Sequence, residues 1–300
     1  MKTGQSLSAP ATILSASRRT DIPAFYMDWF MDRIGMGFFE RVHPYNQKVA
    51  RIPCNPQDVH SIVFWSKNFG PFIEGGFDRR LSDAGYRMFF QFTLNPEHSL
   101  LEPNVPPLRQ RIDQMAYLIR TFGAKSVVWR FDPVCIGIGP QGQPFCTSDR
   151  FAEMAAGMAG IGVQTCTFSF LDMYAKVARR SAAKGVTFLD PGISEKIGIA
   201  SRMAAIATQA GIRLQTCCEA DLLERLSGDV PITAASCIPA PLLIELYGEG
   251  CPVLPDKGQR RSQGCGCYLS KDIGSYKDHP CYHDCLFCYA HPMTPKPDSI

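Results

Sequence analysis

The stretch SVVWRFDPV (126–134) separates into two alternating sets of side chains. Val127, Trp129 and Phe131 form one set, and Ser126, Val128, Arg130 and Asp132 form the other. A period of two is the signature of a β-strand whose two faces meet different surroundings. The same division recurs in RMFFQFTLN (87–95), where Met88, Phe90, Phe92 and Leu94 oppose Gln91, Thr93 and Asn95. It recurs again in VQTCTFSF (163–170), with Cys166, Phe168 and Phe170 set against Thr165, Thr167 and Ser169.

Four more runs read as strands: ATILSAS (11–17), SIVFWSK (61–67), RLQTCCE (213–219) and ITAASC (232–237). An eighth strand is expected between 37 and 53, in GFFERV or QKVARIP. Helical patterns lie between them. Residues 107–122 place Leu108, Ile112, Met115, Ile119 and Phe122 on one face, and Gly123 follows as a stop. Residues 194–210 begin at Ser194, a candidate N-cap, and residues 22–34 begin behind Asp21 with Pro23 in the first turn. Strand and helix alternating eight times predicts an α/β fold, a (β/α)8 TIM-type barrel, complete or partial. The barrel is assigned to residues 1–250, and a Cys-rich segment, 251–300, is expected to fold over its C-terminal rim.

In such a barrel the apolar set of each strand packs on helices, so the other set faces inward. The inward sets here are polar, whereas a purely structural barrel fills its interior with Val, Ile and Leu. A polar lumen suits a polar ligand. Arg213, Gln215, Cys217 and Glu219 share the inward face of one strand, and Thr233, Ala235 and Cys237 that of the next. Cys217 and Cys237 are then expected as neighbours at the rim, with Cys218 turned away as a buried thiol.

The 300 residues are 45% hydrophobic and 20% charged, with a formal net charge of +3, the composition of a soluble globular protein. No run of like charge suggests a nucleic-acid footprint, and Gln259-Arg260-Arg261 reads as a solvated loop. Neither a membrane helix nor a signal-peptide core is present, so a cytoplasmic location is expected. Thirteen cysteines are then too many for structural disulfides in a reducing compartment.

Three of them lie in CYHDCLFCYA (281–290), where Cys281, Cys285 and Cys288 are spaced C-x3-C-x2-C. That spacing can hold three corners of a [4Fe–4S] cluster and leave one iron without a protein ligand. Such an iron can bind S-adenosylmethionine, whose one-electron reduction yields the 5′-deoxyadenosyl radical. The bland reading is a structural zinc site completed by His279, His283 or His291. Cys265 and Cys267, in a Gly-Cys-Gly-Cys turn, make four thiols with Cys217 and Cys237, the complement of a second [4Fe–4S] cluster. Zinc or plain exposed thiols are the alternatives for Cys265 and Cys267. Cys54, Cys135, Cys146, Cys166 and Cys251 lack paired spacing and read as core or loop thiols.

Strand ends supply the other candidates. Arg130, Asp132, Asn95 and Lys67 are candidate catalytic residues, and Arg18, Arg19, Asp21, Asn68, Phe287 and Tyr289 candidate cofactor-binding residues. A salt bridge along one strand is the bland reading of Arg130 with Asp132. No G-x-G-x-x-G or G-x-x-x-x-G-K-[ST] occurs, which argues against nucleotide-phosphate chemistry.

The stretches SASRRTDIPAFY (15–26), FWSKN (64–68), VVWRFDP (127–133), TCCEADL (216–222), SCI (236–238) and 259–290 are similar to a bacterial domain-of-unknown-function family. Its C-terminal cysteines resemble the N-terminal cluster motif of radical S-adenosylmethionine enzymes. The resemblance implies a radical-enzyme relative and matches Cys217, Cys237, Cys265 and Cys267, but not Cys218, to recurring cysteines. It brings no substrate. In ordinary radical enzymes the cluster loop follows the first barrel strand, and a tail folded over the same rim could deliver a cluster there. The Gly-Gly-Glu that usually holds the methionine amine is absent, Gly75-Gly76-Phe77 being the nearest stretch. The leading expectation is a radical enzyme acting on a polar substrate, with a one-electron donor such as ferredoxin or flavodoxin. The alternatives are a non-catalytic iron–sulfur or zinc-stabilised binding protein and a nucleic-acid repair lyase.

Overall fold

The computed structural model describes residues 11–42 and 49–290. Its main sheet has eight strands: β1 (Thr12–Ala16), β2 (Val59–Ser66), β3 (Met88–Thr93), β4 (Val127–Val134), β5 (Thr165–Phe170), β6 (Arg213–Thr216), β7 (Ile232–Ala234) and β8 (Lys271–Asp272). β1 to β7 lie side by side in chain order, β8 pairs with the free edge of β1, and every pairing is parallel. Strands in that order, all parallel and separated by helices, make the framework of a β/α barrel. Among the described residues no bridge joins β7 to β8, so the barrel is open at that seam.

The eighth strand is not where periodicity suggested. Phe38–Val42 and Val49–Pro53 pair with each other in a separate antiparallel hairpin, and the residues between them lie outside the described set. The strand beside β1 comes instead from the Cys-rich tail. Ser15 Oγ donates to Asp272 Oδ2 at 2.9 Å and Ser17 Oγ to Asp272 Oδ1 at 2.8 Å, which fastens the two-residue strand.

The apolar strand faces pack outward on helices. Trp129 stacks on Phe151 of the helix Phe151–Gly160 at 5.4 Å between centroids, and Phe131 meets the same ring edge-on. Phe64, Phe90 and Phe92 pack with Phe69 and Phe72 on the other side. Aromatic pairs add about 0.5–1.5 kcal/mol each to the area they bury. The helix Leu108–Phe122 ends at Gly123, whose φ of +85° suits glycine. The helix Ile193–Gln209 is capped two residues earlier than expected, at Gly192 rather than Ser194. Asp21 caps its helix through Ala24 N at 3.0 Å, but that segment breaks at Tyr26 into Ile22–Phe25 and Met27–Met36.

Below the rim the lumen is apolar on one side and polar on the other. Near the base, Ile13, Val63, Phe89 and Val128 belong to one buried cluster with Ala240 and Leu243 of the helix Ala240–Tyr247. Tyr247 secures that helix by donating its hydroxyl to Met88 O at 2.5 Å. The helix fills the side under β1 to β4 with apolar contacts, whereas Gln91, Thr167, Gln215 and Arg213 keep the side under β3 to β6 polar. No helix among the described residues is long and apolar enough to cross a membrane.

Candidate functional site

At the C-terminal ends of the strands lies a cavity of about 460 Å³. The loop after β1 contributes Arg18, Arg19 and Asp21; β2 and its loop contribute Trp65 and Lys67; β4 contributes Arg130 and Asp132. The tail closes it with Cys265, Cys267, Cys281, Cys285, Phe287, Cys288 and Tyr289, and Cys217 and Cys237 complete the wall. The expected site residues therefore share one cavity, with two exceptions. Asn68 turns back to accept from Gly70 N and Gln114 Nε2, both at 2.9 Å. Asn95 clamps the Asp132 backbone, accepting from its N–H at 3.0 Å and donating to its carbonyl at 3.1 Å. Neither lines the cavity.

Cys217 and Cys237 stand at the tips of adjacent strands with Sγ atoms 3.6 Å apart. Thiol hydrogen bonds from Cys237 and Cys265 hold Cys267 far below the usual thiol range, with Arg18 adding to the effect. Cys218 does not turn away. Its φ of +62° reverses the chain so that its Sγ lies 3.7 Å from that of Cys217, and it lines the same cavity. Arg130 Nη1 donates to Cys237 Sγ at 2.9 Å. Burial works against the Arg130 charge, but Cys237 and Asp132 outweigh it and hold the guanidinium firmly protonated. Arg18 and Arg130 both lie over the Trp65 ring, each 5.4 Å from its centroid. Arg130 draws Cys217 and Cys237 toward the thiolate, but mutual hydrogen bonds and burial still push Cys217 up to about 12 and Cys237 above the usual thiol range.

The three-cysteine loop is fastened to the rim by backbone and side chain alike. His283 Nε2 lies 2.7 Å from Asp21 Oδ2. Asn104 Nδ2 donates to Tyr282 O at 3.0 Å, Tyr26 Oη to Pro280 O at 2.5 Å, and Tyr289 Oη to Arg18 O at 2.9 Å. Arg180 donates to the carbonyls of Leu286 and Cys288 at 2.5 and 2.7 Å. His279 packs on Trp29 at 4.0 Å between centroids and leans away from the cavity, and His291 lies outside the described residues.

Beneath the loop sits a buried ionic group. Lys67 Nζ donates to Glu102 Oε1 at 2.5 Å, and Asn95 Nδ2 donates to the same oxygen at 3.1 Å. Burial opposes the Glu102 charge, but Lys67 and Arg111 outweigh it and lower its pKa below 4.5. Lys67 also lies over Phe287 at 5.2 Å and close enough to Cys281, Cys285 and Cys288 to favour the thiolate of each. Burial otherwise pushes all three thiols up. Sequence reasoning missed Glu102, Arg111, Arg180 and Asp272, which support the site from a loop, two helices and a two-residue strand without any periodic or spacing signal.

The donor chemistry suits an iron–sulfur group in both places: thiols in sufficient number, with cations beside them to stabilise the thiolate form a metal demands. Among the described residues no three or more His, Cys, Asp or Glu side chains stand in the close geometry of a single-ion site.

Fold and cavity thus define an α/β protein built on an open, parallel, barrel-like sheet whose C-terminal rim gathers two groups of cysteines. The chain belongs to the family described as "Domain of unknown function (DUF1848)", whose model matches residues 13–290. No curated protein matches it. Among solved structures it is similar to a sugar phosphate isomerase/epimerase from Parabacteroides distasonis ATCC 8503, at 10% identity and a TM-score of 0.32, over 96% of this chain and 95% of that one. A likeness that distant transfers neither fold nor activity.

Proposed function

We propose that this protein is an iron–sulfur enzyme of the radical S-adenosylmethionine type, acting on a polar substrate in the rim cavity. The observation that carries the reading is that the C-x3-C-x2-C loop and the group of Cys217, Cys237, Cys265 and Cys267 open on one cavity lined by charged residues. Cys281, Cys285 and Cys288 would hold a [4Fe–4S] cluster with one iron free of protein thiolate. When bound, that cluster supplies the electron that cleaves S-adenosylmethionine to the 5′-deoxyadenosyl radical. The four-thiol group would hold a second [4Fe–4S] cluster. A ferredoxin or flavodoxin is the class of donor proposed, in the reducing conditions of a cytoplasm.

The chain's own residues have definable roles. Lys67 offsets the negative charge of three thiolates, and Glu102 keeps Lys67 protonated and fixed. Arg18 Nη2 and Thr20 Oγ1 are buried without a hydrogen-bond partner among the described residues and would be satisfied by polar groups of the bound molecules. Asp132, held by Arg130 and by Ser169 Oγ at 2.5 Å, presents a fixed carboxylate to the substrate. Phe287, inside the three-cysteine loop, and Tyr289, directly after it, line the same cavity.

A second reading keeps the three-cysteine cluster and puts zinc in the four-thiol group. Four thiolates about 2.3 Å from one zinc stand roughly 3.8 Å apart; the Cys217–Cys237 pair, at 3.6 Å, is near that spacing, and Cys265 and Cys267 would have to close on it. The proposed function is tested by reducing the anaerobically reconstituted protein with dithionite in the presence of S-adenosylmethionine and assaying 5′-deoxyadenosine. The product should form with the wild type and vanish in the Cys281→Ala, Cys285→Ala, Cys288→Ala triple variant. Equal amounts from both proteins would remove the radical reading.

A further inference from the structure

A second chamber, also about 460 Å³, lies against β3 to β6 and shares no lining residue with the rim cavity. Its wall combines inward side chains of β3 to β6, among them Gln91, Thr167, Gln215 and Arg213, with Pro241 and Leu242 of the helix Ala240–Tyr247. Gln91 is 2% exposed, and its Nε2 donates to Cys237 O at 3.0 Å. That bond fixes the amide, and Oε1 is left buried with no partner among the described residues. An orphaned buried acceptor on a cavity wall marks a place for a donor that the chain does not supply.

Arg213 lines the same chamber where β6 begins and makes no ion pair among the described residues. Lys125, also on the wall, is paired with Glu245 at 2.6 Å. The uncompensated charge of the chamber is therefore a guanidinium, whose planar fork matches carboxylate and phosphate oxygens. The volume is that of a small-molecule site.

We propose that this chamber binds a small organic anion, with its phosphate or carboxylate at Arg213 and a hydroxyl or amide donor at Gln91 Oε1. The site shares no cysteine with the rim cavity and stands whether or not metal occupies either thiol group. Calorimetric titration of the protein as purified, at constant ionic strength set with sodium chloride, tests it with inorganic phosphate and glycerol 3-phosphate as probes. Glycerol 3-phosphate should bind at least tenfold more tightly than phosphate. Arg213→Gln, at an exposed position, should weaken both probes tenfold or more. Gln91→Leu should remove the advantage of glycerol 3-phosphate and leave phosphate unchanged. No binding of either probe, equal affinity for the two, or binding that both variants retain would overturn the proposal.

Discussion

His283 and Asp21 join opposite ends of the chain: Nε2 of one lies 2.7 Å from Oδ2 of the other, and both side chains are buried. Asp21 also accepts from Ala24 N at 3.0 Å and from Lys67 N at 2.8 Å, so one carboxylate ties the first rim loop, the second rim loop and the three-cysteine loop together. Replacing it leaves three donors without a partner. Asp21→Ala should lower unfolding stability by about 2–4 kcal/mol, combining a lost helix cap with a broken buried pair. Guanidinium denaturation measures this, and limited proteolysis should show earlier cleavage within 275–290. A loss under 0.5 kcal/mol with an unchanged cleavage pattern would mean that the latch does not hold the loop.

The Arg130–Asp132 pair invites a double-mutant cycle. Arg130→Met removes the donor to Cys237 and leaves the Asp132 carboxylate with Ser169 alone. It should cost about 1.5–3 kcal/mol, because it leaves a partly buried carboxylate without its cation. Arg130→Met with Asp132→Asn should recover at least 1 kcal/mol of that loss. Strict additivity would show that the two side chains act independently.

Acid sensitivity should trace to Glu102. Its folded pKa lies below 4.5, so its contribution to stability is complete above that value and is lost as pH falls through the folded value. Glu102→Gln should therefore destabilise the protein at pH 7 and flatten the dependence of unfolding free energy on pH below about 4.5. Denaturation series from pH 7 downward give both quantities. An unchanged acid limb in the variant would place the sensitivity in another carboxylate.

Seven of the eight sheet strands were legible because Trp129, Phe131, Phe90 and Phe168 repeat with a period of two on faces that helices cover. The eighth was not, since Lys271–Asp272 is too short to carry a period and is held by Ser15 and Ser17. Phe38–Val42 and Val49–Pro53 have strand composition, but among the described residues they pair with each other and not with the main sheet, so composition alone misassigned them. The grouping of cysteines could be read from strand parity at Cys217 and Cys237. Cys218 defeated the same rule because its backbone leaves the extended region at φ +62°. Glu102 and Arg111 were hidden for another reason: a loop acid and a helix base become a buried network only once tertiary packing removes water from both. Arg130, read from the strand as a candidate catalytic residue, also lies over the Trp65 ring and donates to the Cys237 thiol.

The two groups of cysteines on one rim are proposed to hold two cubane clusters. Iron and acid-labile sulfide, counted after anaerobic reconstitution, test that proposal most directly. The wild type should hold about eight irons and eight sulfides, and the Cys281→Ala, Cys285→Ala, Cys288→Ala variant about half of each. Four irons with one zinc would leave the rim loop its cluster and give the other group to zinc. Zinc alone, or an iron content that the triple variant leaves unchanged, would contradict the account.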